Sequence, residues 1–260
     1  MFLKQITRTK YQEIEQLYHQ ISEQDRQLAE QLPTGRSLVQ QLKREDHLSI
    51  IAEVKPASPS KGIIQQQVNP VQTALAYERG GASAISVLTD VQYFHGKPES
   101  LTLVKQAVQL PVLRKDFILD PIQVIQSKLL GADAILLIVA LLTQDQLREL
   151  SQLAHDLGME VLVEIHQEQE IPLALNCHAD VIGINNRNLS TFETDLCTTE
   201  MLQPLLQTDV PIIAESGVYS IQDLNRLRAA HVDGVLIGEF LMRQEDHEAA
   251  VRSLLNGDLT

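Results

Sequence analysis

Between residues 48 and 240 the chain repeats one pattern eight times: a short run rich in valine, isoleucine and leucine, then a stretch with apolar residues at helical spacing. The runs are 48–55, 84–89, 111–117, 134–140, 160–166, 181–187, 211–217 and 234–240. Their starts lie roughly 20 to 35 residues apart, enough for one crossover helix per unit, so the pattern predicts an all-parallel sheet. Within 143–157 (TQDQLRELSQLAHDL) leucine and alanine recur at helical spacing behind Thr143, a suitable N-cap. An open doubly wound sheet would need a reversal of strand order, whereas eight regular units favour closure into a (β/α)8 barrel, the TIM-barrel class of α/β fold. Residues 11–32 predict a polar helix with Ile14, Leu17, Ile21 and Leu28 near one face and no strand partner. Residues 1–47 are therefore expected as an N-terminal helical extension, under the barrel or over its mouth, within a single barrel domain spanning 1–260.

A chain of 260 residues with 44% hydrophobic content can bury a core of that size, and no Gly/Ser/Pro-rich linker or charge block divides it. The longest apolar run, 134–142, is too short to cross a bilayer, and the polar N-terminus lacks the apolar centre of a signal peptide. A cytoplasmic protein with no membrane partner is expected. Cys177 and Cys197 have no C-x-x-C spacing and no histidine pair nearby, so they read as reduced structural thiols, with no metal site. A formal charge of −13 argues against nucleic acid as a partner. The same field opposes anionic small molecules, which would need local cations and backbone N–H groups to hold them.

Polar residues fall where a barrel interior should be apolar. Residues two apart on a strand share a face, so Glu53 and Lys55 follow Ile51, Lys115 lies between Leu113 and Phe117, Glu164 follows Leu162, Asn185 lies between Gly183 and Arg187, and Glu215 follows Ile213. All sit toward the C-terminal ends of their runs, the face where such barrels carry chemistry. Taken singly, each reads equally well as a salt bridge at a strand end. Three glutamates at matching depth, with two lysines among them, point instead to a preorganised acid/base site. The carboxylates lack the histidine company of a zinc or iron site. The last two runs end in glycine turns, AESGV and LIGEF, where Gly217 and Gly238 would let a phosphate approach backbone N–H groups closely.

These segments resemble a known family. IAEVKPASPSKG (51–62), LRKDFI (113–118), VEIH (163–166), GINNRNL (183–189), AESGV (214–218) and IGEFLM (237–242) are similar, in order and spacing, to those of indole-3-glycerol-phosphate synthases. The resemblance covers the whole barrel. It implies conversion of 1-(2-carboxyphenylamino)-1-deoxyribulose 5-phosphate to indole-3-glycerol phosphate, CO2 and water in tryptophan biosynthesis. No cofactor is expected, because no hydride or electron sink enters the net reaction.

In that reading Lys115 protonates the ketone as the ring closes, and Glu164 acts as acid or base in dehydration. Lys55 and Glu53 position the substrate carboxylate and hydroxyls, and Lys55 is the alternative to Lys115 in the second step. Glu215 holds a hydroxyl or balances the lysines. Asn185 completes this set as a binding residue, together with Ser58, while Phe94, Phe117 and Leu136 line the aryl pocket. Arg187, Ser216, Gly217, Gly238 and Glu239 are the remaining substrate-binding candidates. Two departures stand out: Pro56 occupies a position where the family often has Arg or Lys, and Glu239 one where some relatives have serine, which leaves the backbone as the phosphate contact there. Phosphoribosylanthranilate isomerase, the nearest enzymatic alternative, resembles an early-strand cysteine paired with an aspartate, and no cysteine stands in the first run here. A noncatalytic phosphate-binding barrel would need an inactivated site, yet every charged position of the motif is present. His166 reads as solvated structure. A monomer is expected, with weak oligomerisation left open.

Overall fold

The structure is a computed structural model that describes residues 2–43 and 48–257. Eight strands, β1 (Ser49–Val54), β2 (Ala84–Leu88), β3 (Val112–Lys115), β4 (Ala134–Ile138), β5 (Glu160–Ile165), β6 (Val181–Asn185), β7 (Ile212–Glu215) and β8 (Gly234–Ile237), pair in parallel in chain order, and β1 pairs with β8 to close the barrel. Each strand lies inside its predicted run and stops one to three residues short of that run's C-terminal bound, where the chain turns out of the ladder. Lys55, Phe117, Arg187, Ser216, Gly217 and Gly238 therefore stand just past strand ends, and Glu239 opens the short helix Glu239–Met242.

Alternation along the strands sorts side chains into two layers. Ile51, Leu113, Leu136, Leu162, Ile213 and Leu236 point inward and pack together, while Ile50, Ile85, Val112 and Val163 point outward into the layer shared with the helices. Burying a side chain of this size contributes about 1.5–3 kcal/mol. The helix Gln144–Asp156 begins as the sequence predicts, with the Thr143 hydroxyl accepting from the Gln146 N–H and the Gln146 side chain accepting from the Thr143 N–H.

The extension differs from the single helix predicted over 11–32. It consists of α1 (Phe2–Gln20), α2 (Glu23–Gln31) and α3 (Leu38–Leu42). The break at Ser22 has a local cause: its hydroxyl accepts from the Asp25 N–H and its own N–H donates to Asp25 Oδ2 at 2.8 Å, a capping box that starts a new helix. Ile14 and Leu17 are buried as expected, but Leu28 is exposed. The extension reaches both ends of the barrel. From α1, Leu3 and Ile6 face the mouth. Under the barrel, Leu38 and Leu42 of α3 complete the interior cluster, while Ser37 Oγ donates to Glu160 Oε1 at 2.5 Å and the Arg36 N–H to Asp133 Oδ1 at 2.7 Å. No described helix is long and apolar enough to cross a membrane. Both cysteines are free thiols.

Candidate active site

The charged residues read from the sequence converge in one cleft at the C-terminal ends of the strands. Lys115 ends β3 with its ammonium 2.9 Å from Glu164 Oε2 on β5 and 2.8 Å from Glu215 Oε2, the end of β7. Glu53, near the end of β1, has Oε1 2.5 Å from Lys55 Nζ and accepts at Oε2 from the Ser86 hydroxyl at 3.3 Å. Glycines make room for these carboxylates. A Cβ at Gly183, which sits beside Glu164 in register, would run into Glu215 Oε1, and one at Gly238 would stand 2.6 Å from Glu53 Oε1.

The electrostatics follow from this crowding. Burial opposes charge on Lys115, but Glu164, Glu215 and Glu53 together outweigh it and hold the ammonium above the usual lysine range. Burial likewise opposes charge on Glu164, yet Lys115 and His166 keep its carboxyl well below the usual carboxylate range. Glu215 goes the other way: burial raises it to about 7, with Glu164 pushing in the same direction and Lys115 against. At neutral pH the group is thus an ionised Lys115–Glu164 pair beside a carboxyl that exchanges its proton near neutrality.

Two chemically distinct sides flank this centre. On one, the rings of Phe94 and Phe117 lie 6.0 Å apart at 43°, with Leu136 and, from α1, Leu3 and Ile6 beside them. On the other, Lys55, Arg187, Ser216, Gly217, Gly238 and Glu239 surround a smaller hollow. Its floor is a turn with two successive left-handed residues, Ser216 (φ 65°) and Gly217 (φ 91°), pinned by the Asn186 amide donating to the Glu215 and Ser216 carbonyls at 3.2 and 3.1 Å. Left-handed backbone costs a non-glycine residue about 1–2 kcal/mol, so Ser216 is held there by its surroundings. The Glu239 carboxylate lies 3.9 Å from Arg187 and 3.1 Å from Arg243, occupying cations that an anionic ligand would otherwise meet. Ser58, Asn185 and Arg187 line the main cleft, the Asn185 side chain accepting from the Arg187 N–H at 3.0 Å.

Every site residue singled out from the sequence lies in the cleft or, for Gly217 and Gly238, in the adjoining hollow. Sequence reasoning missed the latch over the mouth. The Lys10 ammonium of α1, fully buried, lies 2.9 Å from Asp90 and 2.8 Å from Asp116, and Asp116 also meets Arg114 at 3.1 Å. Arg114, next to Lys115 on β3, takes the opposite face of the strand, while Asp116, just past the strand end, also borders the cleft. That parity was visible in LRKDFI; the partner on α1 was not.

The family model for indole-3-glycerol phosphate synthase matches residues 3–254. The protein of that name from Halalkalibacterium halodurans is 45% identical over 98% of this chain and 97% of its own length, and that from Carboxydothermus hydrogenoformans 44% over 98% and 100%. Among solved structures, KGPDC from Streptococcus mutans (TM-score 0.63, 11% identity, 80% of this chain and 96% of that one) and a 3-hexulose-6-phosphate synthase (0.66, 14%, 82% and 100%) share the barrel alone. Matched from end to end of the barrel and carrying the charged cluster at its mouth, the chain belongs to the indole-3-glycerol phosphate synthase family.

Proposed function

We propose that this enzyme closes and dehydrates the indole ring with Lys115 as the first acid and Glu164 as the dehydration base. The carrying observation is the Lys115 ammonium bridged between Glu164 and Glu215, with an aromatic wall on one side and a glycine-lined hollow on the other. The substrate's aryl ring fits against Phe94, Phe117 and Leu136, and its phosphate against the turns at Gly217 and Gly238 with Arg187 and Lys55, displacing Glu239 toward Arg243. In the first stage the ring carbon bearing the carboxylate bonds to the ketone carbon while Lys115 gives a proton to the ketone oxygen. The bond to the carboxylate then breaks, CO2 leaves, and its electron pair restores the aromatic ring. In the second stage the new hydroxyl leaves as water, protonated by a lysine, while ionised Glu164 takes a proton from the ring methylene. Glu215, near neutrality, reloads Lys115, and Glu53 with Lys55, Ser58, Asn185 and Ser216 orients the substrate. The reading makes this a cytoplasmic biosynthetic enzyme working as a monomer.

Indole fluorescence tests it. The protein contains no tryptophan, so its own background is low where indole emits, and indole emission appearing with the carboxyphenylamino substrate reports product. The wild type should generate it, and Lys115→Met should lower turnover by about 10²- to 10⁴-fold, the usual contribution of an acid/base group. A silent wild type refutes the reaction; a Lys115→Met enzyme near wild-type rate refutes the acid.

A further inference from the structure

We infer that His166 is a positioning residue for dehydration: it locks the Glu164 carboxylate against Lys115 from the side the substrate does not reach. The inference rests on Glu164 being the dehydration base. Glu164 is held at both oxygens, Oε2 by Lys115 at 2.9 Å and Oε1 by His166 Nε2 at 3.2 Å. His166 is itself fixed from behind. Its backbone N–H donates to Glu170 Oε2 at 2.6 Å, its Nδ1 lies 3.7 Å from the same oxygen, and the Gln167 amide donates to Glu170 Oε1 at 3.2 Å. Neither ring nitrogen reaches solvent or makes a hydrogen bond of good geometry, so the contacts to Glu164 and Glu170 are close charge–charge contacts. The charged groups facing the ring are Glu164 from β5 and Glu170 from the turn Glu168–Glu170, and beyond Glu164 stand Lys115 and Glu215.

A neutral imidazole carries one N–H and one lone pair, so one nitrogen would present a lone pair to a carboxylate. The imidazolium instead places positive charge between the two carboxylates, at 3.2 Å from Glu164 and 3.7 Å from Glu170. Burial alone would lower the ring, but Glu164 and Glu170 outweigh it and push it up to about 9. A fixed cation on Oε1 keeps Glu164 from rotating away from Lys115 and keeps it ionised, as a base must be. His166 does not line the cleft, so it acts only through Glu164.

His166→Gln, which keeps a side-chain N–H donor but carries no charge, should leave KM within about threefold and lower kcat, since the lost interaction serves the chemical step. Glu164 then loses one of the two cations that depress it, so the acid limb of kcat should move to higher pH by about a unit or more. In a single turnover, indole formation should lag CO2 release. An unmoved acid limb, or equal slowing of both products, overturns the inference. If the variant does not fold, ring-nitrogen NMR of the wild type decides instead: His166 doubly protonated at pH 8 supports the lock, and a neutral ring at pH 7 removes it. Glu164→Gln, run alongside, separates the two levels. If it leaves dehydration intact, the role of Glu164 itself falls, whereas if it blocks dehydration and His166→Gln leaves the limb in place, only His166 is reassigned.

Discussion

Glu164 and Glu215 share one ammonium, and their environments push them apart. Glu164 has a second cation in His166, whereas burial and the Glu164 charge leave Glu215 raised to about 7 from 4.5. The folded state therefore binds the Glu215 proton more tightly than the unfolded chain does. Its contribution to stability is full below pH 4.5 and is lost as pH rises through about 7, a loss on the order of 3 kcal/mol at one pKa unit per 1.4 kcal/mol. Urea unfolding at pH 5 and pH 8 should show Glu215→Gln flattening that decline while abolishing most turnover. Parallel pH dependence in both proteins would show that Glu215 is not the titrating group. At this scale the sequence was legible through parity alone: counting in twos from Ile51, Leu113, Leu162 and Ile213 reached each carboxylate and lysine. Parity could not say which glutamate stays ionised, because that depends on cations from other strands and on His166, which reads as ordinary surface until Glu170 is seen behind it.

The elements divide between those with a local signal and those without. Strand runs and the Thr143 cap are local, and both were readable; the strand ends were overrun by one to three residues because the motif residues continue past the ladder into the loops. The extension was harder. Its capping box at Ser22 hides in a polar stretch, and the role of α1 is set by partners far along the chain, Lys10 meeting Asp90 and Asp116. Lys10→Met would leave two buried carboxylates short of a cation, although Arg114 still pairs with Asp116. Breaking a buried pair by removing one partner costs about 3–5 kcal/mol. The variant should unfold at lower urea and also lose kcat/KM, because Leu3 and Ile6 on the same helix wall the cleft. Lys10→Arg, which keeps the charge, should recover part of both. A variant that loses stability with kcat/KM unchanged would show that α1 braces the barrel without shaping the site.

For the molecule as a whole, a chain of net charge −13 meets a substrate bearing both a carboxylate and a phosphate by concentrating cations at one end of the barrel. Lys55, Lys115 and Arg187 stand there, each beside a carboxylate: Glu53 for Lys55, Glu164 and Glu215 for Lys115, and Glu239 for Arg187. Closure of the sheet brings these residues together from strands up to five units apart in sequence, which is why the repeat pattern was enough for the fold and the site's geometry needed the closed ring. In the proposed mechanism one lysine starts the reaction and one glutamate finishes it. Rapid-quench single turnovers of wild type and Glu164→Gln, with CO2 and indole product measured on the same sample, test it directly. Glutamine keeps the size of Glu164 and cannot take a proton, so CO2 should appear at close to the wild-type rate while indole slows by about 10²- to 10⁴-fold and a cyclised hydroxyl intermediate accumulates. Equal slowing of CO2 and indole would contradict the account, reducing Glu164 to a partner that sets the charge of Lys115.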